Sequence, residues 1–468
     1  MLPIAPPEGI VELFLLGGLN PWDTFYVVPE FGEPARGGPY AGQQWWTFQS
    51  GVDAVPETFA KCGGGERPLL EPWKLDGAGR QVNLGPFLYP LRDRPDLLAR
   101  MLVFVVSHDQ EPHQQAVPLV MGGHPRGSQR LAGMGAHVAR YWQENGGGQS
   151  SPYAYTLFSN SDFVSALEAE VVASVGLHPG SARPLAVRVI ADNPLAAEVK
   201  RPTFGAYRSA ADAAIAFYAE RYGERLRPEH ASELLRSRAF QDYLFASQSL
   251  EHAPSLDQLF SADALSTFPA SDCGVEVDID ATGMGLKLAT HLVTSATNRA
   301  RYALFVDTGI MEAGCGGYDT HQYHVRTASL NVVHTFKQLT QRINAPGEGD
   351  PKKLDLDKQL VLITTEMGRT PFPQELSDQD LGLNHWPYGF VCIALGGFVG
   401  PEQAGIVGSI GEDGRGVTYL TPSEFRAAML MASGIWPFAP ESFNVGSVRD
   451  ATTELDAAMR LKAALGYG

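Results

Sequence analysis

Six short apolar runs constrain the fold of this 468-residue chain more than any other feature. Strands with helices on both faces have such runs, whereas a strand with one solvated face alternates apolar and polar residues. We therefore expect residues 101–109 and 359–365 to be neighbouring parallel strands at the centre of a sheet. The runs are VELFLLGG (11–18), MLVFVVSHD (101–109), RPLAVRVIAD (183–192), RYALFVDTG (301–309), QLVLITT (359–365) and VCIALGG (391–397).

Helical patterns lie between these runs. Thr421 predicts an N-cap that Glu424 completes as a capping box, and residues 205–252 read mostly as helix. Strands that alternate with helices predict one α/β domain over 1–468, with a mostly parallel sheet covered on both faces. Roughly 150–290 is less distinctive and suggests a partly helical insertion or cap. One helix shows apolar residues at steps of three and four: Val325, Ala328, Val332, Phe336, Leu339 and Ile343.

Composition excludes several classes of function. The formal net charge is −16 and no cluster of Lys and Arg stands out, which argues against nucleic-acid binding. We expect no transmembrane segment, because no apolar run is long enough to span a bilayer. The four cysteines contain no C-x-x-C pair, so neither a zinc ribbon nor a disulfide framework is expected.

Carboxylates and imidazoles follow the ends of several predicted strands, where open α/β sheets bind ligands. Mixed Asp, Glu and His sets suit zinc, manganese or iron. We expect Asp23, Asp319, His321 and His385 to converge within a few ångströms at one edge of the sheet. The full set is Asp23, His108, Asp109, His113, Asp319, His321, His324, Glu366 and His385.

Each of these residues also has a structural interpretation. Asp23 and Asp319 could cap a turn or a helix. His324 could lie exposed on the first turn of a helix, and Glu366 could pair with Arg369. Their joint placement at strand ends is the stronger signal.

Five motifs carry a resemblance to a known family: FLLGGLNPWDTF, GGYDTH, TTEMGRTP, NHWPYGF and ALGGFVGPEQAGIVGS. They resemble the bacterial family catalogued as the domain of unknown function 1501. That family is similar in layout to the alkaline phosphatase and sulfatase superfamily. The resemblance implies an alkaline-phosphatase-like three-layer sandwich that holds a divalent metal, with zinc, manganese or calcium as the ion.

The resemblance also implies a ligand set. Asp23 takes the place of the superfamily's first metal aspartate, and Asp319 with His321 or His324 matches the next group. Glu366 stands where the superfamily has the Asp of an Asp-His pair, with Met367 in place of that His. His385 matches the last metal histidine.

His113 stands where sulfatases carry a modified cysteine. A histidine there could be a nucleophile, a ligand or an acid/base. Arg369 could hold an anionic group with two hydrogen bonds; the alternative is a salt bridge to Glu366.

The implied function is a metal-dependent hydrolase of phosphate or sulfate esters that acts on a small anionic ester. The alternative is a catalytically inactive metal-binding or structural protein, or a partner subunit of an assembly, including a homo-oligomer. Members of the family are usually exported to the periplasm behind a twin-arginine signal, which this chain lacks.

Overall fold

The computed structural model describes residues 6–31, 54–125, 132–145, 156–159, 185–188, 208–222, 269–296, 299–311, 314–374, 382–438 and 442–467. The strands, numbered along the chain, are β1 (Gly9–Leu15), β2 (Glu71–Leu75), β3 (Gln81–Leu84), β4 (Met101–Val106), β5 (Thr156–Ser159), β6 (Leu185–Arg188), β7 (Ala270–Asp272), β8 (Val275–Val277), β9 (Tyr302–Asp307), β10 (Gln359–Thr364), β11 (Gly368–Gln374), β12 (Gly382–Trp386), β13 (Phe390–Gly396), β14 (Gly405–Val407), β15 (Ser409–Ile410) and β16 (Gly416–Thr418). Eight of them form one sheet in the order β14-β4-β13-β10-β1-β9-β5-β6.

The central sheet is mostly parallel, as expected. Each neighbouring pair in it is parallel except the two pairs that β13 makes, with β4 and with β10. The apolar runs at 11–18, 101–109, 301–309, 359–365 and 391–397 each contain one of these strands. The part of 183–192 that the structure describes, Leu185–Arg188, is also a strand.

The expected adjacency of residues 101–109 and 359–365 is wrong. Strand β13 lies between β4 and β10 and runs antiparallel to both. The hairpin of β11 and β12 returns the chain to the sheet after β10, so β13 starts at the edge where β10 ends. An apolar run specifies burial but carries no information about direction.

Helices cover both faces of the sheet. The helices are α1 (Ala54–Lys61), α2 (Tyr89–Arg92), α3 (Pro95–Leu98), α4 (His113–Gly122), α5 (Met134–Asn145), α6 (Arg208–Tyr222), α7 (Ala281–Thr294), α8 (His324–Gln341), α9 (Pro422–Ala432) and α10 (Glu454–Ala464). Short 3-10 turns occur at Pro21–Asp23, Pro86–Leu88 and Val445–Ser447. One apolar core contains side chains from α1, α2, α7 and α8, and the other contains side chains from α4, α5, α9 and α10.

The helix predictions hold where they can be compared. All six residues of the predicted apolar face are buried; five of them lie in α8, and Ile343 lies two residues beyond its end. Thr421 accepts a hydrogen bond from the Glu424 N–H, and both halves of the capping box are present. Helix α6 confirms part of the helical stretch at 205–252; its remainder from residue 223 lies outside the described residues. None of the helices in the described ranges is long and apolar enough to cross a membrane.

A disulfide joins Cys62 to Cys273 across 211 residues of sequence, so the expectation of no disulfide framework missed one bond. Nothing in the spacing of the cysteines marks this pair, because the two positions are brought together only by folding. The bond links the end of α1 to the β7–β8 hairpin.

We expect Cys62→Ser to lower the free energy of unfolding by about 2–4 kcal/mol, because the bond removes conformational freedom from the unfolded chain. Urea unfolding, followed by tryptophan fluorescence, measures the difference. A reductant should destabilise the wild type to the same level and leave Cys62→Ser unchanged. Equal stability of the oxidised wild type and the variant would contradict the prediction.

Candidate metal centre

The carboxyl ends of β1, β9 and β10 meet at one edge of the sheet, and three loops approach each other there. The turn after β1 contains Gly17, whose φ is +117°. A Cβ at Gly17 would lie 2.2 Å from the backbone nitrogen of Asp319, so only glycine allows this approach. The loop after β9 supplies Asp319 and His321, and the β11–β12 hairpin supplies Arg369 and His385, which are opposite each other in the two strands.

Four side chains predicted from the sequence come together at this edge. His321 Nε2 lies 3.1 Å from Asp319 Oδ1 and 3.0 Å from His385 Nε2. His385 Nε2 and His113 Nε2 each lie 3.4 Å from the same Asp319 oxygen. We call these four residues, His113, Asp319, His321 and His385, the metal centre.

The spacing is close to that of a metal site: one of three distances between ligand atoms lies in the range set by a tetrahedral zinc, and two are shorter than it. Ligand atoms around a tetrahedral zinc, with bonds of about 2.0–2.2 Å, lie roughly 3.3–3.6 Å apart. Asp319 Oδ1, His321 Nε2 and His385 Nε2 form a triangle with sides of 3.0, 3.1 and 3.4 Å. Donor atoms of His113, Asp319 and His385 also lie within 4.8 Å of one another.

The far side of two imidazole rings is anchored, as metal-binding histidines require. His113 Nδ1 donates to Glu366 Oε1 at 2.8 Å, and His321 Nδ1 donates to Gln374 Oε1 at 2.8 Å. Both rings therefore direct Nε2 towards Asp319. His113 Nε2 is buried and has no hydrogen-bond partner among the described residues, so its polar capacity is unused.

Glu366 lies behind the metal centre. Its Oε1 accepts hydrogen bonds from His113 Nδ1 and from the Gly17 N–H, at 2.8 and 2.7 Å. In this structure the carboxylate orients His113, and the ligand role expected for Glu366 stays a prediction. His108 adds a hydrogen bond from Nε2 to the Glu366 carbonyl, at 2.7 Å.

Arg369 is fully buried and bonds to Asp319, not to Glu366. Its guanidinium also donates to the carbonyls of Gly17 and Leu383. Arg369 therefore forms an ion pair, as the alternative expected, but its partner is Asp319 and not Glu366. The anion-binding role expected for Arg369 stays a prediction.

The charged groups of the site shift the pKa values of Asp319, His113 and His385. Burial raises the pKa of Asp319, but the neighbouring His113, His321 and His385 and the charge of Arg369 outweigh burial and hold that pKa well below its usual range. Burial lowers the pKa of His113, but Asp319 and Glu366 overcome this and raise it to about 9. Burial and the charges of Arg369 and His113 lower the pKa of His385.

Access to the metal centre is from one side. The side chains of His321 and His385 are 31% and 20% exposed, whereas Asp319 is 3% exposed. His113, predicted as a loop residue, begins α4 and is buried. A ligand would therefore approach over His321 and His385.

Asp23 and His324 form a separate buried pair. His324 Nε2 lies 2.8 Å from Asp23 Oδ2, and its Nδ1 lies 2.6 Å from Thr320 Oγ1. Among the described hydrogen bonds and ion pairs, Asp23 has none with Asp319 or His385. The expected convergence is thus found for Asp319, His321 and His385, while Asp23 lies with His324.

The structural alternatives for these residues are found in part. Helix α8 begins at His324 with Tyr323 as its cap residue, so Asp319 does not cap that helix. Asp319 does close a turn, because its Oδ2 accepts a hydrogen bond from the Cys315 N–H at 2.7 Å. His324 does lie in the first turn of that helix, but it is fully buried. Asp23 closes a 3-10 turn whose cap is Asn20.

Sequence reasoning missed the residues that orient the loops. Asn331 Oδ1 accepts from the N–H groups of Ile310 and Met311, and its Nδ2 donates to the carbonyls of Met311 and Gly317. This one amide uses all four of its hydrogen-bonding positions to fix the loop that carries Asp319. Gln374, which anchors His321, was also missed. Neither residue follows the end of a predicted strand, so the sequence pattern that indicated the other site residues did not indicate Asn331 or Gln374.

Comparison with known proteins gives one match. Residues 281–437 match a family described as "Protein of unknown function (DUF1501)". The matched segment contains Asp319, His321, Glu366, Arg369 and His385, and it supports the family expected from the motifs. No curated protein matches the chain.

Proposed function

We propose that the protein is a metal-dependent hydrolase of phosphate or sulfate esters. The observation that carries this proposal is the triangle of Asp319 Oδ1, His321 Nε2 and His385 Nε2 at an accessible edge of the sheet. Three protein ligands leave the fourth position of a tetrahedral ion for water or substrate, as in catalytic zinc sites. Zinc is the first candidate, with manganese second, because the donors are two imidazoles and one carboxylate.

Bound in this triangle, a divalent ion would polarise an ester oxygen and lower the pKa of a bound water to about 7. Arg369 offsets part of the negative charge of Asp319 from behind and holds its carboxylate in place. Gln374 keeps His321 in the tautomer that presents Nε2. Arg369 and Gln374 thus orient Asp319 and His321, and neither residue needs to contact the substrate.

His113 is proposed as the general acid. Burial lowers the pKa of His113, but Asp319 and Glu366 overcome this and raise it to about 9 before a cation binds. Its Nε2 faces the metal centre and has no hydrogen-bond partner among the described groups. An Nε2–H there would donate its proton to the oxygen of the leaving group as the ester bond breaks, and Glu366 would stabilise the cation before transfer.

The rival function is a structural metal site without turnover. The observation in its favour is that the donor atom of His113 lies within 4.8 Å of those of Asp319 and His385. As a fourth ligand, His113 would close the coordination sphere, and closed four-ligand sites are structural. The two functions therefore differ in one testable point, which is whether His113 binds the ion.

Elemental analysis and a screen with chromogenic phosphate and sulfate esters test the proposal. We expect one tightly bound divalent ion per chain and turnover that chelation removes. His321→Gln should weaken metal binding by more than the roughly 10–100-fold of an outer-shell change. His334→Gln is the matched control, because His334 is also buried and held by two aspartates, Asp272 and Asp280, away from the metal centre.

Two outcomes would reject the hydrolase. Absence of metal after purification with added zinc or manganese would remove the centre itself. Tight metal binding with no turnover of either ester class would favour the structural site.

The disulfide between Cys62 and Cys273 supports export, the location that the family resemblance implies. Disulfides persist in oxidising compartments such as the bacterial periplasm and are rare in the cytosol. We therefore include the periplasm in the proposal.

A further inference from the structure

A cavity of about 840 Å³ lies beyond the carboxyl end of β4. Its volume is in the range of small-molecule sites, roughly 300–1,000 Å³. The loop after β4 contributes His108 and Gln110 to the lining, the segment after β12 contributes Tyr388, and the stretch before α9 contributes Arg415 and Tyr419. Nothing in the proposed hydrolytic chemistry uses this cavity.

The cavity carries almost no net charge. Arg415 and Asp109 are the oppositely charged side chains in its lining. His108 adds no charge, because its Nε2–H donates to the Glu366 carbonyl while its Nδ1 accepts from the Gln110 N–H. A nucleoside triphosphate or another polyanion would find one cation opposed by one carboxylate, so the lining favours a neutral ligand.

Two tyrosine rings in the lining are held rigidly. The guanidinium of Arg415 lies 4.2 Å from the centre of the Tyr388 ring, and that of Arg449 lies 4.2 Å from the centre of the Tyr419 ring. Tyr388 is fixed further by a hydrogen bond to Glu111, at 2.7 Å. The faces of such rings are electron-rich and attract C–H groups that carry partial positive charge. One face of a sugar ring presents such C–H groups.

The polar part of the lining suits hydroxyl groups. Gln115 is exposed on the first turn of α4, and an amide both donates and accepts hydrogen bonds. Ser423 donates its hydroxyl proton to the Gly123 carbonyl and so keeps its oxygen as an acceptor for a ligand. Thr421 accepts from the Glu424 N–H and so keeps its hydroxyl proton to donate. Hydroxyl groups of a ligand, which donate and accept in turn, can pair with this mixture.

We propose that the cavity binds a neutral polyhydroxylated ring, one sugar unit of a glycan. Arg415 and Arg449 each cover one face of a tyrosine ring, so the opposite faces of Tyr388 and Tyr419 would contact the sugar. The amides and hydroxyls would supply the hydrogen bonds. The cavity and the metal centre share two stretches of chain. Tyr388 follows His385 by three residues, and Gln110 precedes His113 by three.

This placement also names a substrate class for the proposed reaction, an ester of a sugar hydroxyl. That part of the inference rests on the proposed function. Sugar binding itself does not, because it needs neither the metal nor turnover.

Calorimetric titration of the chelator-treated full chain with cellobiose, lactose and chitobiose tests the proposal. At least one of these neutral sugars should bind saturably at millimolar concentrations. Tyr419→Ala should weaken that binding roughly tenfold. Gln115→Ala is the second variant, because Gln115 is exposed and its loss leaves the fold intact. Trp436→Ala is the control, since Trp436 is an exposed aromatic residue outside the cavity.

Two results would overturn the proposal. The first is no binding of any of the three sugars, or binding that neither Tyr419→Ala nor Gln115→Ala weakens. The second is tighter binding of ATP that displaces the sugar, which would make the cavity a polyanion site. Sugar binding in a protein that hydrolyses no ester would uphold this inference while the proposed function fails.

Discussion

His113→Gln is expected to remove most ester hydrolysis while the protein keeps its metal ion. General acid catalysis contributes about 10²–10⁴-fold to a rate, so kcat/KM should fall by that factor. The glutamine amide is neutral and does not release a proton at neutral pH, so it cannot act as a general acid. Steady-state kinetics and elemental analysis of the same preparation measure both quantities.

The pH profile of the wild type should carry the signature of the same group. The pKa of His113 is raised to about 9, so the imidazolium is present below that value and is lost as the pH rises through it. The rate should fall along this alkaline limb, and a bound cation moves the limb to lower pH without changing its direction. His334→Gln should leave the limb in place, although the pKa of His334 is also raised to about 9.

Loss of the metal from His113→Gln, as severe as the loss from His321→Gln, would contradict this assignment. His113 would then be the fourth ligand of a closed site, and the structural function would replace the hydrolase. Unchanged activity would remove His113 from the mechanism altogether.

Glu12→Gln is expected to lower the free energy of unfolding by about 3–5 kcal/mol. Glu12 is in β1 and pairs with Arg426 of α9 through two hydrogen bonds, at 2.6 and 2.7 Å, and neither side chain is exposed. Thr364 and Tyr302 donate to the same carboxylate. The variant leaves a buried guanidinium without its counter-charge.

Burial raises the pKa of Glu12, but Arg426 and the two hydroxyl donors overcome it and lower the pKa below its ordinary value of 4.5. The stabilisation is therefore present above pH 4.5 and is lost as the pH falls through the lowered pKa.

Chemical unfolding at neutral pH measures the effect of Glu12→Gln. Glu57→Gln is the control, because the Glu57–Lys61 pair is exposed and such pairs contribute about 0–1 kcal/mol. The double variant Glu12→Leu/Arg426→Met should be less destabilised than the single variant, since it removes both charges. A single variant as stable as the Glu57→Gln control would contradict the prediction.

The sequence predicted well which strands are buried in the sheet, but it did not predict the direction in which each strand runs. The runs that became β1, β4, β9, β10 and β13 are recognisable because a strand covered on both faces must be apolar along its length. Nothing in Val391–Gly397 shows that it runs against its neighbours. That direction is set by the β11–β12 hairpin, which returns the chain at the edge where β10 ends.

The sequence also predicted the chemical character of the site. Asp319, His321 and His385 follow or precede strand ends, and parallel strands bring such ends to one edge. Their type and position along the chain were enough to select them. The disulfide partners and the pairing of Glu12 with Arg426 gave no such signal, because none of these residues lies at the end of a predicted strand.

Only the tertiary structure decided which groups touch. The sequence placed Asp23 with the metal ligands, but the packed turn after β1 turns its carboxylate to His324. The sequence suggested Glu366 as a metal ligand or as the partner of Arg369. In the structure Glu366 accepts a hydrogen bond from His113, and Arg369 pairs with Asp319. The physical reason is that strand ends fix positions only to within several ångströms, while ligand and hydrogen-bond distances are settled by side-chain rotamers within the packed loops.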